Sequence, residues 1–143
     1  MSEVERTIAA DTDRVWQLLS DLDNWDQMLP TMQRVTRLGT KGPLGVGTRF
    51  EVQQPGLRRA VYEITDWQPG RGFTWRSTAP GIRTAAPHWL APQDEGTRLV
   101  LGIDWSGPLT GLVRLLLGSK VRRMVEQEAD TFTRLAERAG RPD

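Results

Sequence analysis

The chain carries one histidine, His88, one tyrosine, Tyr62, and no cysteine. Without thiols there is no disulfide, thiolate nucleophile or zinc–thiolate site, and one imidazole cannot build a histidine-rich centre, so no metal is expected. Acid–base chemistry remains open, because an imidazole near neutral pH can take or give a proton. His88 falls in a run from Thr84 to Leu90 in which Ala86 and Leu90 share its face. If that face looks inward, His88 enters an apolar interior; a histidine bonded to backbone or turned to solvent fits the same run. Tyr62 shares a face with Ile64 and either offers its hydroxyl to a ligand carbonyl or sits at the core edge with that hydroxyl satisfied. Glu128 lies between Val125 and Phe132 at helical spacing. Buried, it would be a second acid–base group, but the reading taken is a solvated flank of the helix. Arg83 and Arg123 could neutralise an acidic ligand and read instead as surface ion-pairing residues.

Other groupings are excluded on mechanism. Gly39, Gly42, Gly45 and Gly47 neither precede a helix nor end in Gly-Lys-Ser/Thr, so they mark a hairpin connection and not a phosphate loop. Asp21, Asp23 and Asp26 lack the glycine and terminal glutamate of a calcium loop and read as a solvated helix junction. No serine stands in a Gly-x-Ser-x-Gly elbow. No cofactor is expected.

The elements that must position His88 and Tyr62 follow from periodicity. Val4, Arg6 and Ile8 alternate with Glu5, Thr7 and Ala9 in an opening strand. Asp11 then caps a helix over residues 12 to 20 with Val15, Trp16, Leu18 and Leu19 as its stripe, and a shorter helix from about Asn24 to Leu29 stops at Pro30. Period-two runs follow at 35–38, 48–52, 59–65, 73–77, 84–90 and 97–105, separated by the Gly39 to Gly47, Pro55-Gly56, Pro69-Gly70 and Pro80-Gly81 clusters. Such short connections suit an antiparallel meander, whose last strands close the sheet. After Ser106-Gly107-Pro108 a helical period holds to about Ala139, with Val121, Val125, Phe132 and Leu135 as a stripe and a bend expected at Gly118-Ser119. Only this helix is long enough to cover the sheet. The fold class is α+β: a helix-grip fold, a curved antiparallel sheet wrapped around a long C-terminal helix, with two short helices after the first strand.

Composition agrees with one compact domain over residues 1–143: 38% hydrophobic beside 26% charged is ordinary globular usage. Lys+Arg at 19 against Asp+Glu at 18 leaves a net charge of only +1, far from the cationic excess of a nucleic-acid binder. No stretch is long and apolar enough for stable membrane insertion, and Met1 to Arg6 lacks the pattern of a secretory signal, so a cytoplasmic location is expected. Arg114, Lys120, Arg122 and Arg123 beside Leu115 to Leu117 could touch an anionic membrane, but read as a solvated basic face. The oligomeric state is left open.

Several stretches together resemble the SRPBCC superfamily, START-like, in its polyketide cyclase/dehydrase-like branch. They are Ile8 to Asp21 with Trp25 and Pro30 behind it, Ile64-Thr65-Asp66-Trp67-Gln68-Pro69-Gly70-Arg71, Gly96-Thr97-Arg98-Leu99, and Ser106-Gly107-Pro108-Leu109 leading to Leu135-Ala136-Glu137. The resemblance implies an internal cavity for a small hydrophobic ligand, polyketide- or lipid-like. Of the six tryptophans, Trp75 and Trp105 face the helix on the alternation, either filling the core or lining the cavity. Phe50, Trp75, Leu101, Ile103 and Trp105 are then expected walls, with Leu112 and Leu116 from the helix, and Tyr62 and His88 as polar anchors. In an enzymatic alternative His88, helped by Tyr62, moves a proton during cyclisation or dehydration. In a third reading the cavity is vestigial and the protein binds a partner.

Overall fold

The computed structural model describes residues 2–39 and 42–139. The glycine-rich connection contains Thr40 and Lys41, which lie outside the described residues. The chain runs β1 (Ser2–Ile8), α1 (Thr12–Leu19), a 3₁₀ turn (Leu22–Asn24), α2 (Trp25–Met28), β2 (Arg34–Leu38), β3 (Arg49–Gln53), β4 (Ala60–Gln68), β5 (Gly72–Ala79), β6 (Ile82–Gln93), β7 (Gly96–Ser106) and α3 (Thr110–Ala139). This is the α+β helix-grip arrangement, a curved antiparallel sheet holding one long helix.

Local chemistry accounts for the boundaries. The Asp11 carboxylate accepts the Arg14 N–H at 2.9 Å, satisfying one of the amides that a helix start leaves free. α2 ends at Leu29, whose extended backbone is what a residue before proline adopts. The three aspartates are more than a solvated junction. Asp26 accepts the Val35 N–H at 3.0 Å, Asp23 pairs with Arg37 and Asp21 accepts from Asn24, so two of them tie the helices to β2.

All neighbours in the seven-stranded sheet are antiparallel, in the order β1-β7-β6-β5-β4-β3-β2. The meander from β2 to β7 is therefore as expected. The sheet stays open, however: β1 and β2 are its edges, and α3 occupies the concavity between them. Its inner face is set by alternation. Val4, Ile8, Phe73, Trp75, Ala86, His88, Leu90, Leu99 and Leu101 are all buried, and they meet Val125, Ala129, Phe132 and Ala136 from α3. Leu135, expected in that stripe, is only half-buried, because the helix turns Ala129 and Ala136 to the sheet in its place.

β6 carries a proline inside the sheet. Its pairing with β7 runs from Arg83 to Ala85 and resumes at His88; Pro87, with no N–H to give, sits in the gap. Gly72 opens β5 with φ +147, directly against the His88 carbonyl and the Trp89 ring, where a Cβ would collide with both. Gly72→Ala is expected to cost about 1–3 kcal/mol from the backbone conformation alone, with steric displacement added. An unchanged urea midpoint would refute this account of the β5–β6 approach.

Candidate functional site

β4, β5, β6 and β7 turn Tyr62, Trp75, His88, Leu101 and Ile103 toward one space beneath α3, which contributes Val121, Met124, Val125 and Glu128. Gln54 and Leu57, from the β3–β4 turn, and Met32, after α2, complete the rim. The space is partly open to solvent and has a volume of about 40 Å³, enough for only about two or three water molecules. Ala86, Gly102 and Ile103 line it beside the interrupted β6–β7 ladder. Two of the anticipated polar groups, Tyr62 and His88, thus share one wall.

Glu128 overturns its solvated reading. It is 7% exposed, because it lies three residues after Val125 and four before Phe132, on the helix face turned to the sheet. The Thr31 hydroxyl donates to its carboxyl at 2.8 Å. Burial pushes the carboxyl up to about 7, against the lowering effect of that hydrogen bond. The spacing of Val125, Glu128 and Phe132 was the signal available in the sequence.

His88 is buried in an aromatic enclosure. Its ring stacks on Phe73 at 4.3 Å and 12°, with Trp25 at 5.5 Å and Trp75 edge-on at 6.0 Å. Burial lowers the imidazole to about 3, and backbone groups of Phe73 and Ala86 offset only part of this. None of them meets Nδ1 in hydrogen-bonding geometry, so that buried atom has no partner among the described residues. The imidazole is therefore neutral at physiological pH. Tyr62 is partly buried and lies over Trp75 at 4.8 Å. Burial, with the Glu128 charge second, pushes its hydroxyl up to about 12, so it stays protonated and available as a donor.

Several expected wall residues lie elsewhere. Phe50 is fully buried behind Trp75, with ring centroids 6.0 Å apart, and does not line the cavity. Trp105 is half-buried near the end of β7, beyond Ile103. Leu112 and Leu116 are 53% and 69% exposed on the outer face of α3, because the sheet covers the second half of that helix and not the first. Arg83 and Arg123 are exposed and lie away from the cavity. The residue that periodicity gave least reason to single out is Trp25, which is fully buried and in ring contact with Phe73, Trp75, His88 and Phe132. Among the described residues no group of three or more His, Cys, Asp or Glu side chains is placed to hold a metal ion.

The family described as polyketide cyclase / dehydrase and lipid transport matches residues 2–137. No curated protein matches the chain in sequence. Solved structures of the same fold include a protein of Thermus thermophilus (22% identity, TM-score 0.75, covering 97% of this chain and 98% of that one). The Zhui aromatase/cyclase of Streptomyces sp. R1128 is another (23%, 0.70, 98% and 94%). A third is norcoclaurine synthase of Thalictrum flavum, solved with dopamine and hydroxybenzaldehyde (13%, 0.72, 94% and 84%). At these identities the likeness is one of fold.

Proposed function

The chain belongs to the polyketide cyclase / dehydrase and lipid transport family, and from that premise we propose that it binds a small, ring-containing apolar molecule with one polar substituent beneath α3. The observation that carries this reading is the convergence of Tyr62 and His88 from the sheet and Glu128 from α3 on one cavity whose remaining lining is mostly apolar. Apolar surface with a few placed polar groups is how proteins orient small ligands. Trp75 and Tyr62, packed on each other at 4.8 Å, give the cavity an aromatic lining for a ring. The Tyr62 hydroxyl donates to a ligand oxygen, and the unpartnered Nδ1 of His88 and the Glu128 carboxyl supply the complementary contacts. A ring is larger than this volume, so entry displaces the rim. Met124 and Leu57 stand there, and the unbranched methionine repacks readily.

One observation favours a second reading, an enzyme of the cyclase or dehydratase kind. A carboxyl held near 7 in an apolar cavity is matched to proton transfer at neutral pH. In that case Glu128 is the acid–base residue. His88, neutral and weakly basic, orients the substrate and does not carry the proton.

Native mass spectrometry of the purified protein, followed by tryptophan fluorescence titration with aromatic, quinone and fatty-acyl compounds, tests both. Saturable quenching is expected from a ring-containing compound. Tyr62→Phe is expected to weaken its binding by about ten-fold, the worth of one hydrogen bond of about 1.4 kcal/mol. No co-purified mass and no response across the panel would sink the ligand reading. Turnover of a bound compound that Glu128→Gln abolishes, with binding retained, would establish the enzymatic one.

A further inference from the structure

The first half of α3 is amphipathic in an unusual sense: its outward face begins apolar and becomes cationic. Leu112, Leu115 and Leu116, at i, i+3 and i+4, are 53%, 80% and 69% exposed. Leu109, in the turn before the helix, is exposed too. The same face continues through Ser119 to Arg122 and Arg123. No residue from Thr110 to Met124 is buried. Contiguous exposed leucines on a helix mark a surface that meets something apolar.

Charge identifies what that is. From Trp105 to Val125 there is no Asp or Glu, whereas Arg114, Lys120, Arg122 and Arg123 all fall within it. Arg114, Lys120 and Arg123 form no ion pair among the described residues, and Arg122 reaches Glu126 one turn on. A second copy packed isologously on this face would bring the same cations into the interface twice over, with no carboxylate in the segment to pair with them. An anionic bilayer surface suits both halves at once: leucines enter the acyl boundary while guanidinium and ammonium groups stay among the headgroups. Among the described residues no helix is long and apolar enough to cross a membrane, so the contact is one of lying on the surface.

We infer that the first half of α3 docks the protein on anionic lipid surfaces, with Leu112, Leu115 and Leu116 inserted and Arg114, Arg122 and Arg123 against the headgroups. The inner side of the same helix supplies Val121 and Met124 to the cavity rim. Docking thus brings the cavity mouth close to the bilayer, where apolar molecules dissolve. The docking itself does not depend on the ligand reading and is tested without ligand.

The experiment is co-sedimentation of the whole chain with vesicles of phosphatidylcholine containing phosphatidylglycerol, against vesicles of phosphatidylcholine alone, with sedimentation velocity run in parallel. Retention on the anionic vesicles only, weakened by salt, is expected. Leu115→Ser/Leu116→Ser and, separately, Arg114→Glu/Arg123→Glu are each expected to lower the partition coefficient by about ten-fold or more. All four side chains are exposed, so unchanged thermal unfolding confirms that the variants fold. No retention on anionic vesicles would overturn the proposal, as would retention that both variants leave intact. A wild-type dimer that the leucine variant makes monomeric would overturn it in favour of a self-association face.

Discussion

Glu128→Gln is expected to make the protein more stable at about pH 8, by about 3 kcal/mol, at the rate of about 1.4 kcal/mol per unit of pKa displacement. The carboxyl rises from 4.5 to about 7 on folding, so the folded state holds its proton more tightly than the unfolded one. Its favourable contribution is full below about 4.5 and is lost as pH rises toward 7, where a buried charge must be carried. His88 works in the opposite sense. Lowered from 6.5 to about 3, it contributes stability that is present above 6.5 and lost as pH falls through 3, because the unfolded chain takes up a proton that the core refuses. Between about pH 4.5 and 6.5 the folded state gains one proton at Glu128 and forgoes one at His88, so these two groups together leave stability nearly flat.

Each single variant should unbalance that plateau. In Glu128→Gln, stability is expected to climb with pH up to about 6.5. In His88→Gln, it is expected to fall from about 4.5 onward. Urea unfolding across pH 4 to 8 reads the slopes directly, whatever the variants do to absolute stability. A Glu128→Gln curve parallel to that of the wild type would show that the carboxyl is not held protonated by its surroundings.

Trp25→Ala is expected to cost about 3–5 kcal/mol, the range for removing a large buried aromatic. Trp25 is fully buried between the sheet and α3, with ring centroids 5.2 Å from Trp75, 5.5 Å from His88, 5.7 Å from Phe132 and 5.9 Å from Phe73. Those partners come from β5, β6 and α3, so no single neighbour can fill the space left behind. The same change also admits water to His88, whose lowered pKa is a consequence of dry surroundings. Its imidazole should therefore move back toward its ordinary value, an effect visible by NMR titration. Trp25→Phe should cost much less. The indole N–H of Trp25 has no hydrogen-bond partner among the described residues, so removing that donor offsets part of the lost contact. A Trp25→Ala midpoint close to that of the wild type would mean that the core is not organised around this ring.

Much of the fold was legible in the residues themselves. The alternation from Thr97 to Trp105, the clearest of the period-two runs, and the Pro-Gly connections specified neighbouring antiparallel strands, and a helical period held over thirty residues specified the helix they grip. The alternation grouped His88 with Ala86 and Leu90, and Tyr62 with Ile64, since side-chain direction in a strand is a local property of the backbone; that the His88 face is buried only the packed sheet decided. What a helix buries is not local. Glu128 and Leu116 both lie near apolar neighbours in the sequence, yet one is enclosed and the other bare. The difference is how far the sheet extends along α3, which the pairing of β1 with β7 and the path of the β3–β4 turn decide. The hub position of Trp25 arises in the same way, from ring contacts with residues distant in the chain. Period and turn chemistry determined the elements and their order; only the long-range packing of sheet, short helices and α3 decided which polar groups lost water, and with it where their protons sit.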